Sequence, residues 1–178
     1  MDFLDFENHE LYFDEPISVG DQALLDQAAE AYPETESENI LRGLHQRLPE
    51  NLSIIVALYR FYYYQHRYYD ALEISAMAIA VSSKKLGLNV DWKGLTEDHL
   101  GSVVLVSLGL TRFYMLALKA AAYLYIRVGE IEQGYARLKR IVELDPADQF
   151  GANFLYKIAA REMVVHHAEK HGIESIYH

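Results

Sequence analysis

Residues 129–148 read GEIEQGYARLKRIVELDPAD. Gly129 marks a turn, the apolar residues that follow recur at helical spacing, and Pro146 ends the pattern. The sequence therefore predicts a helix that runs through Asp145 and follows closely on an earlier helix. This segment decides the fold because its spacing of small and apolar residues occurs again elsewhere in the chain.

The rest of the chain also has helical periodicity, from Ser18 onward, and no stretch alternates as a strand would. An all-α fold is predicted. Ser18 and Asp21 form an acidic capping box that starts the first helix, and Thr96 is expected to cap a short helix in the glycine-containing segment 86–101. The longer helices are expected at about 19–32, 36–48, 52–65, 69–85, 102–128 with a bend at Gly109, 130–145 and 148–170.

Short helix pairs that recur at a fixed sequence spacing are typical of repeat proteins. The pattern around the opening segment consists of Leu118, Ala121, Ala122, Tyr125, Gly129, Gly134, Leu138, Ile141 and Pro146. The same offsets give Ile55, Leu58, Tyr59, Tyr62, Tyr68, Ala71 and Ala78, and a weaker set gives Leu24, Leu25, Ala28, Leu41, Leu44 and Pro49. These sets resemble the tetratricopeptide repeat. The chain departs from that family's pattern at Ile55 and Leu118, where the family has Trp, at Tyr59 and Ala122, where it has Gly, and at Gly134, where it has Ala.

The resemblance implies a solenoid of antiparallel helix pairs, a TPR-like superhelix in which stacked pairs bury a continuous core. An acidic segment at 1–17 precedes a single domain at 18–178, with repeats at about 18–51, 52–85 and 115–148, an insert at 86–114 and a capping helix at 149–171. In this family the first helix of each pair lines a concave groove.

Carried over to this chain, that groove implies a partner-binding surface. Its candidate residues are Arg60, Tyr63, Tyr64, Lys119, Tyr123, Arg127, Asn153, Lys157 and Arg161. Such a lining suits an acidic and apolar peptide or helix, because Arg and Lys pair with carboxylates and Tyr gives broad contact at low entropy cost. The alternative is that Tyr63, Tyr64 and Tyr123 only pack under the insert or against the neighbouring helix pair, as aromatic residues at helical spacing commonly do. Tyr62 and Tyr68 are expected to be core residues.

The net charge of −10 is concentrated at the N-terminus, where residues 1–38 hold 12 acidic and no basic residues. The first 16 residues, MDFLDFENHELYFDEP, lack the features of a secretory signal. They alternate carboxylates with apolar side chains, so one hypothesis is that they cover the basic groove of their own chain or of a neighbour. The alternative is a solvated tail. The remaining chain has no dense basic patch, so no nucleic-acid partner is expected.

No cysteine is present, which fits a cytoplasmic protein. No membrane partner is expected, because basic residues interrupt the apolar stretch 100–128. His166, His167 and His171 lie near the C-terminus, but helix-end histidines are common without metal, and no cofactor is expected. No catalytic motif is found. We therefore expect a non-enzymatic adaptor or chaperone, a scaffold for a protein or peptide partner. The alternative is a structural subunit that self-associates or belongs permanently to a larger assembly.

Overall fold

The computed structural model describes residues 15–170, with side chains to residue 167. Within these residues the fold is all-helical and contains no strand. The helices are α1 (Val19–Glu30), α2 (Thr35–Arg47), α3 (Leu52–Tyr64), α4 (Tyr68–Leu86), α5 (Glu97–Val106), α6 (Leu108–Arg127), α7 (Ile131–Leu144) and α8 (Asn153–Lys170). The prediction of an all-α protein is confirmed.

Two helices begin at the capping residues that the sequence predicts. The Ser18 hydroxyl accepts a hydrogen bond from the Asp21 N–H at the start of α1. The Thr96 hydroxyl accepts from the His99 N–H at the start of α5. Both expected caps are therefore confirmed, and each satisfies an N–H group that has no partner within its helix.

The expectation of one helix from residue 102 to residue 128 with a bend at Gly109 is wrong. The chain is extended at Ser107, with φ −160° and ψ 110°, and this residue separates α5 from α6. Its N–H donates to the Val103 carbonyl, while its hydroxyl accepts from the Leu110 N–H. Ser107 thus closes one helix and caps the next, a role that the glycine two residues later does not perform.

Consecutive helices pack against each other from α1 to α4 and from α6 to α8, and α5 contacts α6. The pairing of α4 with α6 brings the two halves of the sequence together across the segment 87–107. Twelve of the 20 residues in α6 are buried, so this helix lies at the centre of the molecule. Fully buried side chains of α3 and α6, such as Ile55, Leu58, Met115 and Leu124, form much of the core.

The close contact between α6 and α7 requires glycine at position 134, which has no side chain. A Cβ atom on Gly134 would lie 2.7 Å from the Ala122 carbonyl oxygen and 2.6 Å from Cγ1 of Ile126. Real Cβ atoms do not approach a backbone carbonyl this closely, so the two helices can adopt this spacing only with glycine at 134.

The segment between α4 and α5 attaches to α7 through cation–aromatic contacts. The Arg137 guanidinium carbon lies 4.5 Å from the centre of the Trp92 ring and 4.2 Å from that of Tyr125. Arg140 donates a hydrogen bond to the Leu95 carbonyl. The part of the predicted insert around Trp92 and Leu95 therefore packs against α7, held by a cation–aromatic contact and by one hydrogen bond from a charged side chain.

Candidate partner-binding surface

Tyr63 is the centre of an aromatic cluster formed by α3, α4 and α6. Its ring centre lies 5.7 Å from that of Tyr59, one helical turn earlier, and the two rings are stacked. The Tyr64 ring meets it edge-on at 5.4 Å. Tyr123 of α6 and Tyr68 of α4 approach it at 6.3 Å each. Helical spacing explains the contact with Tyr59, and Tyr64 is the next residue in α3. The contacts with Tyr68 and Tyr123 require the packing of α3 against α4 and of α4 against α6.

Arg127 lies over this cluster on the solvent side. Its Nη1 donates to the Tyr123 hydroxyl at 2.8 Å, and its guanidinium carbon is 4.5 Å from the Tyr68 ring centre. The hydrogen bond with Tyr123 raises the pKa of Arg127, so the side chain stays cationic. Among residues 15–167, no Asp or Glu side chain forms an ion pair with it. Arg127 is thus a fixed and exposed positive charge.

Arg60 provides a second cation on the same side of α3. It is exposed, and its guanidinium carbon lies 6.0 Å from the centre of the Tyr64 ring. Tyr64 itself is 48% exposed. Five of the nine predicted site residues therefore lie in one continuous set of contacts. We call this set the tyrosine–arginine surface: Arg60, Tyr63, Tyr64, Tyr123 and Arg127.

The other four predicted residues lie elsewhere. Lys119 is only 6% exposed, and its Nζ donates to the Phe150 carbonyl at 2.6 Å. This lysine ties the centre of α6 to the loop before α8, so its charge is not presented to solvent. Asn153, Lys157 and Arg161 are on α8, and none of them makes a hydrogen bond, ion pair or ring contact with the tyrosine–arginine surface in the described residues.

The two tyrosines expected in the core behave differently. Tyr62 is buried, 6% exposed, and its hydroxyl donates to Glu38 at 3.1 Å. Burial, with that carboxylate as a second cause, raises the pKa of Tyr62 to about 12. Tyr68 is half-buried and carries the Arg127 guanidinium on its ring, so it also supports the surface. Sequence reasoning missed this role because α6 supplies the cation.

A groove of about 320 Å³ runs beside the surface, between α1 and α3. We call it the α1–α3 groove. On each side of the groove, four residues follow the spacing i, i+3, i+4 and i+7, and α2 forms the floor. The lining residues are Leu25, Ala28 and Ala29 of α1, Tyr32 in the turn after α1, Ala57, Arg60, Phe61 and Tyr64 of α3, and Ser37 and Leu41 of α2. Three alanines keep it open, a feature that no local signal in the sequence identified.

The histidines of α8 do not form a metal site in the described residues. His166 Nε2 lies 3.1 Å from the Glu132 carboxylate and joins α8 to α7. No three His, Asp or Glu side chains in the described part of the chain could hold an ion together. His171, the third histidine considered, lies outside the described residues. Among the described residues, no helix combines the length and the apolar character that crossing a bilayer requires.

Fold and surface together define an all-helical protein with an exposed aromatic and cationic face. The chain is 41% identical over 160 residues to a protein of Azotobacter chroococcum mcd 1 described as "Uncharacterized 19.8 kDa protein in nifW 5'region". The match covers 90% of this chain and 89% of the relative, so the chain belongs to the family of that protein. No family model matches the chain, and no solved structure does.

Proposed function

We propose that this protein is a cytoplasmic, non-enzymatic adaptor or chaperone of the tetratricopeptide type, which binds an acidic and apolar peptide or helix of a partner protein. The observation that carries the proposal is the convergence of Arg60, Tyr63, Tyr64, Tyr123 and Arg127 from two helices that are distant in sequence. This convergence favours a binding role over core packing for these tyrosines, because both cations and the Tyr64 ring remain accessible to solvent.

The chemistry of the surface indicates what it would recognise. Arg127 is already held by a tyrosine hydroxyl and a tyrosine ring, so little side-chain entropy is lost when it pairs with a carboxylate. Tyrosine rings bury a large area with few rotatable bonds, and they accept aliphatic or aromatic side chains. A segment with alternating carboxylates and large apolar side chains meets both requirements.

Burial at equivalent repeat positions supports the tetratricopeptide resemblance. The small position at which paired helices cross is occupied by Ser37, Ala71 and Gly134 in the three predicted units, and all three residues are buried. Seven residues later, the equivalent positions are Leu44, Ala78 and Ile141, each at most 1% exposed. The stacking of successive helices fits a solenoid in which each pair shields the next.

Selection from a random peptide-display library tests the proposal without knowledge of the partner. We expect 12-residue peptides selected on the full chain to be rich in Asp, Glu, Phe, Leu and Tyr. The double variant Arg60→Ala/Arg127→Ala should lose this enrichment and keep its helical circular dichroism, because both side chains lie on the surface.

The matched control is Arg42→Ala/Lys139→Ala, which removes the same charge from exposed positions on α2 and α7. It should select the same peptides as the unchanged chain. If all three proteins select the same peptides, or none selects any, the binding proposal fails.

A second candidate function, a subunit that self-associates, is favoured by the outer side of α8. Phe154, Ile158 and Val165 fall on one stripe and are 73%, 38% and 52% exposed. The terminal helix of a stacked array normally has a polar outer face, so an apolar stripe there suits stacking on a second copy of the chain.

The double change Phe154→Glu/Ile158→Glu tests this candidate by light scattering after size-exclusion chromatography. A self-associating subunit should fall from a dimer to a monomer, whereas Val19→Glu, at an exposed apolar position on α1, should leave the mass unchanged. A monomer for the unchanged chain at every concentration would dismiss the candidate.

A further inference from the structure

The α1–α3 groove suits a helix better than an extended segment. Its lining is mostly apolar, and the hydroxyl of Ser37 on its floor already donates to the Ala28 carbonyl at 2.7 Å. An extended segment needs partners for its backbone N–H and C=O groups, which such a lining does not supply. A helix satisfies these groups internally and needs only apolar side chains that enter the groove. The hypothesis that residues 1–16 cover the groove stays a prediction, because residues 1–14 lie outside the described residues.

The two walls of the groove meet near the C-terminal ends of α1 and α3. The Tyr32 and Phe61 rings touch there, edge to face, with centres 5.9 Å apart. The carbonyl of Pro33, which follows Tyr32, accepts a hydrogen bond from Gln65 at 3.4 Å. From Ala57 to the end of α3 the wall is about 10 Å long. The groove therefore has room for about two turns of a helix, with one stripe of apolar side chains inside it.

The helices on the two sides of the groove carry opposite charges. α1 contains three acidic residues and no basic residue, whereas Arg60 is the only charged residue of α3. On α1, Asp26 and Glu30 are exposed, and they directly follow Leu25 and Ala29, which line the groove. One edge of the groove is therefore acidic and the other is basic.

We propose that the partner segment binds in the α1–α3 groove as an amphipathic helix and that Asp26 and Arg60 determine its direction. Its apolar stripe enters the groove, and its carboxylates face Arg60 and Arg127. The flank beside Asp26 carries no acidic residue, because like charges would repel there. Turning the helix end for end exchanges its two flanks, so only one direction brings opposite charges together. This inference rests on the proposed function, since it specifies the conformation and direction of the same ligand.

Two labelled synthetic helices of equal composition provide the probes, and both have Leu at i, i+3, i+4 and i+7. The segregated peptide has Glu at i+1, i+5 and i+8 on one flank and Gln at i−1, i+6 and i+10 on the other. The mixed peptide exchanges the residues at i+5 and i+6, so both of its flanks are acidic. Fluorescence anisotropy should show that the full chain binds the segregated peptide about threefold or more tightly than the mixed one. Equal affinity, or no binding of either peptide, would overturn the inference.

Disulfide cross-linking measures the direction of the bound helix. The protein has no cysteine, so Ser53→Cys, one helical turn before Ala57, provides a single attachment point on α3. The segregated peptide carries a cysteine at its N-terminus or at its C-terminus, and one of these two forms should cross-link about threefold or more than the other. In a chain that also carries Asp26→Arg/Arg60→Asp, which has the same net charge, the preference for that end should disappear.

The matched control is Glu73→Lys/Lys139→Glu, which exchanges two charges at exposed positions on α4 and α7. It should keep the preference of the Ser53→Cys chain. Equal cross-linking of both peptide ends, or the same preference after the exchange at Asp26 and Arg60, would overturn the inference. The binding proposal would still stand in that case if the display selection enriches acidic and apolar peptides, whereas failure of that selection removes the binding proposal itself.

Discussion

Gly134 is the residue at which helix propensity and packing oppose each other most clearly. Alanine is favoured over glycine in a helix by about 1 kcal/mol. At this position, however, the added Cβ would meet the Ala122 carbonyl oxygen at 2.7 Å, and a backbone atom cannot rotate away. We expect Gly134→Ala to lower the free energy of unfolding by about 1–3 kcal/mol.

Gly43 in α2 is the matched control, because nothing lies within 4 Å of its Cβ position. Gly43→Ala should raise the free energy of unfolding by up to about 1 kcal/mol, since only propensity acts there. Urea unfolding followed by circular dichroism measures both variants. A Gly134→Ala chain as stable as the Gly43→Ala chain would refute the close contact between α6 and α7.

Glu38 gives the stability a predictable dependence on pH. Its carboxylate accepts from the Arg67 Nη1 at 2.7 Å and from the Tyr62 hydroxyl at 3.1 Å, and the bond from Arg67 is the main reason that its pKa is lowered. A lowered pKa in the folded state means that the carboxylate stabilises the fold above its ordinary pKa. This stabilisation is lost as the pH falls through the folded-state value.

Glu38→Gln should therefore cost about 1–2 kcal/mol at pH 7, and the cost should shrink as the pH falls below the ordinary range for glutamate. Urea unfolding at pH 7 and in acid measures the change. A double-mutant cycle with Arg67→Gln isolates the pair. A Glu38→Gln cost that is the same at both pH values would contradict the assignment.

The segment before α5 is held against α7 by side-chain contacts from Arg137 and Arg140. The Arg137 guanidinium contacts the rings of both Trp92 and Tyr125, and burial lowers the pKa of Arg137. Lysine cannot reproduce this planar contact, so Arg137→Lys should loosen the segment. Because Trp92 is the single tryptophan, its fluorescence reports the change directly, and we expect its emission to shift to the red.

Lys139→Gln, at an exposed position on the same helix, is the control and should leave the emission unchanged. A Trp92 spectrum unaffected by Arg137→Lys would show that the stacking does not hold the segment in place.

Local signals predicted elements well where a capping residue and a periodic pattern agree, as at Ser18 and Thr96. They failed between α5 and α6, because a serine in an apolar stretch does not by itself mark a helix boundary. Only the structure shows that the Ser107 hydroxyl caps α6. The apolar pattern also continues on both sides of it, so periodicity alone favoured one long helix. The bend was predicted at Gly109 only because glycine often interrupts helices.

At the scale of the whole molecule, the candidate surface could be predicted only in part. The resemblance to the tetratricopeptide repeat implied that Tyr63 and Arg127 line a groove, but their meeting depends on how α4 and α6 pack together. Lys119 was expected in the groove from the same resemblance, yet it is buried and donates to the Phe150 carbonyl. The α1–α3 groove depends on packing across three helices, which no local pattern specifies.

We propose that Arg60, Arg127 and the tyrosines around them bind an acidic and apolar segment, and calorimetric titration with the most enriched display peptide measures this binding. We predict that Arg60→Ala/Arg127→Ala raises the dissociation constant about tenfold or more, which corresponds to about 1.4 kcal/mol or more, while Arg42→Ala/Lys139→Ala leaves it unchanged. Equal dissociation constants for the unchanged chain and the Arg60→Ala/Arg127→Ala variant would contradict the claim.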